Sequence, residues 1–127
     1  MKINHPLMHN NFSNSDIGAV KKLLQKKNIV LTQSKKVLEF EKKWSKWLGV
    51  KYSVFVNSGS SANLLSMLIL KSFSPKKKEV IVPSLTWVSD INSVLISGFK
   101  PVFVDINPNN LSMDENQIIK KINKNTL

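Results

Sequence analysis

Short strand-type segments alternate with helical segments through most of the chain. The strand-type segments are rich in β-branched and aromatic residues and lie at 52–56, 79–83 and 102–106. Each is followed by a helical pattern, over about 61–72, 88–97 and 114–123. Strands that alternate with helices form βαβ units, in which neighbouring strands run parallel and helices cover the sheet. The sequence therefore predicts an α/β fold of three αβα layers with a mainly parallel sheet.

Two more helices are predicted before the first strand. Ser13 and Asp16 form a capping-box pattern, with the serine at the N-cap and the acid three residues later. Thr32 or Ser34 caps the second helix, and Gly49 is placed to end it in the left-handed conformation.

The sequence divides into two predicted regions. Residues 1–33 form an amino-terminal helical arm, and residues 34–127 form the incomplete front part of a larger domain. Three parallel strands alone leave an unprotected sheet edge, and residues 124–127 have the pattern of a turn that leads into a further strand. We therefore expect the chain to be a fragment that is catalytically inactive by itself.

Length and composition indicate a globular protein. The 127 residues are 42% hydrophobic, which is enough for a buried core and too much for a disordered chain. No apolar run reaches the length of about 20 residues that a membrane span needs. The chain has no cysteine, and its start lacks the apolar segment of a signal peptide. We expect a cytoplasmic protein without disulfides or membrane attachment.

The net charge of +11 raises the question of a nucleic-acid partner. All 19 basic residues are lysine, and the arginine that base readers use for bidentate contacts is absent. Many of the lysines occur as pairs in helical segments, where they are typical of solvated surfaces. We therefore predict no nucleic-acid partner.

The segment from Val56 to Leu64 has a phosphate-binding pattern. A strand-type segment ends at a turn of small residues, Gly59, Ser60 and Ser61, and a helical segment follows. Gly59 lets the backbone turn tightly, the serines supply hydroxyls, and the free N–H groups of a helix start attract an anion. Ser60 and Ser61 also fit the plainer role of N-cap residues.

A second loop follows the strand-type segment at 79–83 and carries Thr86 and Trp87. Loops at the carboxyl ends of parallel strands meet at one edge of the sheet, where such folds bind ligands. One loop is placed to hold a phosphate and the other an aromatic ring, although Trp87 also fits a place in the core. Asp90 and Asn92 are further candidates for substrate contact.

Ordered blocks along nearly the whole chain resemble a known family. They include Trp47-Leu48-Gly49-Val50, Asn57-Ser58-Gly59-Ser60-Ser61-Ala62, Glu79-Val80-Ile81-Val82-Pro83-Ser84, Thr86-Trp87-Val88 and Lys100-Pro101-Val102-Phe103-Val104-Asp105-Ile106. In this order they closely resemble the amino-terminal third of the DegT/DnrJ/StrS family.

The resemblance implies a pyridoxal 5'-phosphate (PLP) enzyme of the aspartate-aminotransferase fold, fold type I, that acts on a nucleotide-linked keto-sugar. It assigns Ser60 and Ser61 to the cofactor phosphate, with Gly59 allowing a close backbone approach, and Trp87 to stacking on the pyridine ring. It also implies an amino-acid amino donor, a homodimer, and a role in cell-surface polysaccharide or deoxysugar biosynthesis.

The same resemblance places no catalytic residue within these 127 residues. The family's Schiff-base lysine, and the carboxylate that pairs with the pyridine nitrogen, come from later parts of its chains. One branch has histidine in place of that lysine and is a keto-deoxysugar 3-dehydratase, which the segment from Asn57 to Leu64 resembles. An aminotransferase is the first hypothesis, and the dehydratase and a non-catalytic truncated binding module are the alternatives.

Three remaining polar residues are given structural roles. His5 and His9 lie in an irregular leader without partners at metal-ligand spacing, so no metal site is predicted. Asp105 follows a strand near the expected site, and we expect it to make structural contacts.

Overall fold

The computed structural model describes residues 9–127, and the chain divides into two compact units at Phe55 and Val56. His5 and the first residues of the predicted arm lie outside the described residues. The predicted boundary between residues 33 and 34 stays a prediction.

Two helices form the first unit: α1, Asn14–Leu24, and α2, Lys35–Leu48. Ser13 Oγ accepts a hydrogen bond from the Asp16 N–H at 3.2 Å, and Asp16 Oδ2 accepts one from the Ser13 N–H at 2.9 Å. Gly49 follows α2 with a φ of 77°, in the left-handed region. The predicted capping box and helix end are therefore confirmed.

The predicted strand at 52–56 is wrong. The segment is extended, but within residues 9–127 it pairs with no strand. Tyr52 and Val54 are 77% and 80% exposed, and the Phe55 N–H donates to Glu41 Oε1 at 2.8 Å. A strand needs a neighbour for its N–H and C=O groups, and here a glutamate side chain takes one of those bonds.

The second unit contains the sheet. Its elements are α3 (Gly59–Phe73), β1 (Glu79–Pro83), α4 (Val88–Ile96), β2 (Lys100–Val104) and α5 (Glu115–Lys121). The two strands pair in parallel, from Glu79 opposite Lys100 to Pro83 opposite Val104. The parallel pairing is confirmed, with two strands in place of the three predicted. None of the helices within residues 9–127 is both long and apolar enough to cross a membrane.

The second strand lies two residues earlier than the predicted 102–106. Asp105 leaves the ladder because its N–H donates to Gln117 Oε1 at 3.0 Å. Ile106 then forms an antiparallel bridge with Met113. The ends of β1 and β2 therefore lie side by side, with Ser84 N–H donating to the Val104 C=O at 2.8 Å.

The core of the second unit joins the strands to α4. Val82 of β1, Val94 of α4 and Phe99 form a buried cluster. Met67 of α3 packs against it, as do the partly buried Val80 and Ile91. The cluster therefore packs α3 and α4 together against β1.

The predicted turn at 124–127 leads to a segment beside β1. The Asn125 C=O accepts hydrogen bonds from the N–H groups of Lys78 and Glu79, each at 3.0 Å. Thr126 forms a parallel bridge with Glu79, which also pairs with Lys100 of β2. At Glu79 the first strand thus has neighbours on both sides.

Candidate functional site

The first turn of α3 carries the predicted phosphate turn. Ser58 is the N-cap: its Oγ accepts from the Ser61 N–H at 3.2 Å, and its C=O accepts from the Ala62 N–H at 3.1 Å. The N-cap role considered for Ser60 and Ser61 is therefore wrong, and both lie inside the first turn. The N–H groups of Gly59 and Ser60 come before the first hydrogen bond of the helix and have no acceptor within it. They lie at the end of the helix that carries partial positive charge.

Gly59 is the first residue of α3, and its φ lies outside the left-handed region. A methyl group on its α-carbon would meet no atom within 4 Å. The predicted tight turn is thus not the reason for glycine, because a helical residue with open space around it accepts alanine without strain. The close approach of a ligand is the role that stays predicted.

Trp87 is the N-cap residue of α4 and makes no capping hydrogen bond. The residues favoured at this position carry a side-chain oxygen that accepts from the helix N–H groups. The indole is 73% exposed, so the core placement considered for it is wrong. A tryptophan that neither caps its helix nor packs in the core is available for contact with a ligand.

A cleft of about 390 Å³ lies between α3 and α4. It brings together Ser60, Ser61 and Trp87, and Gly59 is their neighbour in the chain. The other residues that line it are apolar or polar without charge: Leu64, Val88, Ser89, Asn92, Ser93 and Ile96. Three of the four predicted cofactor-binding residues, and the substrate candidate Asn92, therefore face one cavity.

Asp90 links the two sides of this cleft. Its Oδ1 accepts a hydrogen bond from Asn63 Nδ2 of α3 at 2.6 Å, and its Oδ2 accepts one from Thr86 Oγ1. Ser93 Oγ donates to the Asp90 C=O at 2.8 Å. The one signal in the sequence for Asn63 is its position one helical turn after Ser60, on the same side of α3.

Asp105 makes structural contacts, as predicted. Its Oδ1 accepts hydrogen bonds from Ser84 Oγ at 3.0 Å and from the Ile106 N–H at 2.8 Å. These bonds join the chain after β1 to the chain after β2. His9 is exposed in the first unit.

The ion pair and the shifted carboxyl groups that the structure describes belong to the first unit. Within residues 9–127 the one ion pair joins Lys36 Nζ and Glu39 Oε2 at 2.7 Å. The hydrogen bond from Lys36 lowers the pKa of Glu39, and hydrogen bonds from Ser13 lower the pKa of Asp16. The walls of the cleft are by contrast built from hydroxyl, amide, indole and aliphatic groups.

The parallel sheet, the helix start and the exposed tryptophan together define an α/β protein with a cleft between α3 and α4. The model of the DegT/DnrJ/EryC1/StrS aminotransferase family matches residues 10–127. The chain belongs to this family, as the resemblance of its sequence blocks predicted.

The relatives include enzymes of both branches. A GDP-4-keto-6-deoxy-D-mannose 3-dehydratase of Yersinia pseudotuberculosis is 32% identical over 98% of the chain and 32% of its own length. A UDP-4-amino-4,6-dideoxy-N-acetyl-beta-L-altrosamine transaminase of Campylobacter jejuni is 37% identical over 93% of the chain and 30% of its own length. The chain thus spans about a third of the length of the curated relatives it matches.

Solved structures agree with this membership. The Escherichia coli GDP-4-keto-6-deoxy-D-mannose-3-dehydratase with bound hydrated PLP superposes with a TM-score of 0.81, at 30% identity, over 99% of this chain and 33% of that one. The Helicobacter pylori aminotransferase PseC gives 0.77 at 36% identity, over 91% of this chain and 30% of that one. The predicted fold class is confirmed: the chain has the αβα fold of the amino-terminal part of the fold type I large domain.

Proposed function

We propose that the protein is a PLP-dependent aminotransferase that acts on a nucleotide-linked keto-sugar in cell-surface polysaccharide or deoxysugar biosynthesis. PLP is the cofactor of the family, and the similarity to the Campylobacter transaminase supports the reaction class. The amino donor is an amino acid, and the intact protein is a cytoplasmic homodimer. The 127 residues alone are inactive. The alternative function is a PLP-dependent keto-deoxysugar 3-dehydratase, which the Yersinia and Escherichia relatives favour.

One observation carries the proposal: Ser60, Ser61 and Trp87 line the same cleft although Trp87 comes from a different loop. The hydroxyls of the two serines, with the N–H groups of Gly59 and Ser60, would hold the cofactor phosphate. The exposed indole of Trp87 would lie against the pyridine ring.

The residues present fit this cofactor. A phosphate dianion matches a helix start, where free N–H groups and the helix dipole attract negative charge. A flat pyridine ring matches an exposed indole, since aromatic rings prefer offset stacking. The cleft of about 390 Å³ is within the size range of small-molecule sites. When bound, PLP would supply an electron sink that stabilises the negative charge formed on carbon in these reactions.

Cofactor binding is tested by calorimetric titration with pyridoxine 5'-phosphate, which has the ring and phosphate of PLP but no aldehyde to react with the 19 lysines. Trp87→Ala should weaken binding by about tenfold, on the order of 1.4 kcal/mol, and should shift the absorption band of bound PLP. Trp47→Ala is the matched control, because Trp47 is 74% exposed in the other unit. Equal affinity and an unchanged spectrum for Trp87→Ala would contradict the assignment.

The reaction is tested by incubating the intact protein with PLP, glutamate and a GDP- or UDP-linked 4-keto-6-deoxy sugar. An aminotransferase yields a sugar with an amino nitrogen in place of the keto oxygen, and a dehydratase yields a sugar that lacks its 3-hydroxyl. Mass spectrometry separates the two products. Absence of both products with a protein that binds PLP would favour a non-catalytic binding module.

A further inference from the structure

We propose that Asp90 is a positioning residue of the cofactor cleft, which holds the loop of Trp87 against the first turns of α3 by accepting hydrogen bonds from Asn63 and Thr86. The proposal rests on the proposed function, because it takes Trp87 to be the residue that contacts bound PLP. It assigns no catalytic step to Asp90.

The side chain of Asp90 bonds between elements and not within its own helix. Asp90 is the third residue of α4, where the acid of a capping box ordinarily accepts from the N–H of the N-cap residue. Here Oδ1 accepts from Asn63 Nδ2 at 2.6 Å and Oδ2 accepts from Thr86 Oγ1. Both carboxylate oxygens are therefore used to join α4 to α3 and to the preceding loop.

These bonds restrain Trp87 from both sides. Thr86 precedes Trp87 in the chain and is bound through its hydroxyl. On the other side, the Asp90 N–H donates to the Trp87 C=O at 3.0 Å. The backbone that carries the indole is thus fixed to one residue, Asp90, which is itself tied to α3.

The other end of the link lies beside the phosphate turn. Asn63 follows Ser60 by three residues, so the two share one side of α3. Asp90 is half-buried, and within residues 9–127 no lysine forms an ion pair with it. Hydrogen bonds to a carboxylate are short and directional, so Asp90 sets the distance between the phosphate turn and the indole through defined contacts.

A double-mutant cycle tests this role by calorimetric titration of the protein with pyridoxine 5'-phosphate. Asp90→Ala should lower affinity by about tenfold in the wild-type background and by less than about twofold in the Trp87→Ala background, because the effect acts through the indole. Asp90→Asn keeps one acceptor oxygen and should recover part of the affinity. Asn63→Ala and Thr86→Val each remove one donor and should show the same dependence on Trp87.

The matched control is Asp114→Ala, which removes the N-cap of α5 away from the cleft and should leave affinity unchanged. Circular dichroism checks that each variant is folded, and Thr86→Val replaces Asp90→Ala in the cycle if the latter does not fold. If Trp87→Ala weakens binding, two results would overturn the positioning role of Asp90. One is an Asp90→Ala loss of affinity that is equal in both backgrounds, and the other is no loss of affinity when Asp90→Ala is made in the wild type. A Trp87→Ala variant that binds normally would instead reject the cofactor assignment itself.

Discussion

Asn63 of α3 donates a hydrogen bond of 2.6 Å to the carboxylate of Asp90 in α4. Both side chains are half-buried, and they join the two helices that form the cleft. A hydrogen bond to a carboxylate is about twice as strong as one between neutral groups. The stability of the second unit is therefore coupled to the geometry of its cleft.

Asn63→Ala should lower the free energy of unfolding by about 1–2 kcal/mol, because Asp90 loses one of its two donors. Asn63→Asp should lower it further at neutral pH, since it brings two carboxylates together. That additional loss should shrink in acid, where one carboxyl takes up a proton. Urea unfolding at several pH values measures both effects. Asn116→Asp on the exposed first turn of α5 is the control, and a comparable loss there would contradict this explanation.

Gly59→Ala should change stability and cofactor affinity in opposite directions. The added methyl group meets no atom within 4 Å, and alanine favours a helix by up to about 1 kcal/mol over glycine. The same methyl group lies where a phosphate would approach the backbone, so affinity for pyridoxine 5'-phosphate should fall by about tenfold. Gly18→Ala in α1 also has open space around it and should affect stability only. Unchanged affinity for Gly59→Ala would show that no ligand approaches this position.

Alanine substitutions at Ser58 and Ser60 should separate the effect of helix capping on stability from the effect of the serine hydroxyl on ligand affinity. Ser58→Ala removes the side-chain acceptor of the Ser61 N–H and should lower the free energy of unfolding by about 1 kcal/mol. Ser60→Ala should change it by less than about 0.5 kcal/mol and should weaken binding of pyridoxine 5'-phosphate. Urea unfolding and calorimetry on the same two proteins measure the contrast. A Ser60→Ala variant as destabilised as Ser58→Ala would give Ser60 a structural role.

The capping box of α1 should make stability depend on pH. Hydrogen bonds from Ser13 hold the pKa of Asp16 below its ordinary value of 3.8. A lowered pKa in the folded state means that the ionised carboxylate stabilises the helix above pH 3.8, and that this contribution is lost as the pH falls through the folded-state value. The difference in unfolding free energy between wild type and Asp16→Asn should therefore be present at neutral pH and vanish in acid. In the Ser13→Ala background the difference at neutral pH should be smaller, and an equal difference at neutral pH would contradict the role of Ser13.

Local signals were sufficient for the helix ends and for the parallel pairing. Ser13 and Gly49 act as predicted because caps depend on residues within one helical turn. The strand at 52–56 was predicted wrongly because its apolar pattern contains no information about a partner strand. The end of β2 before Asp105 depends on a side chain of α5, which also lies outside any local window.

The site was predictable only where its signals are local. The residue types at Ser60, Ser61 and Trp87 and their places after strand-type segments indicated one cleft, and the structure brings them together. The cap at Ser58 was missed because Ser58, Ser60 and Ser61 all carry the hydroxyl that an N-cap needs. The link between Asn63 and Asp90 joins positions 27 residues apart, and no spacing rule connects them.

Nuclear magnetic resonance with the protein labelled with ¹⁵N at glycine and tryptophan would show where the cofactor binds. The 127 residues contain four glycines and three tryptophans, and the Gly59→Ala and Trp87→Ala variants assign the two decisive signals. On titration with pyridoxine 5'-phosphate, the Gly59 amide and the Trp87 indole N–H should shift together with one dissociation constant, while Gly18 and Trp47 stay unchanged. If the ligand binds and the Gly59 amide and Trp87 indole signals do not move, the result would contradict a cofactor site in the cleft between α3 and α4.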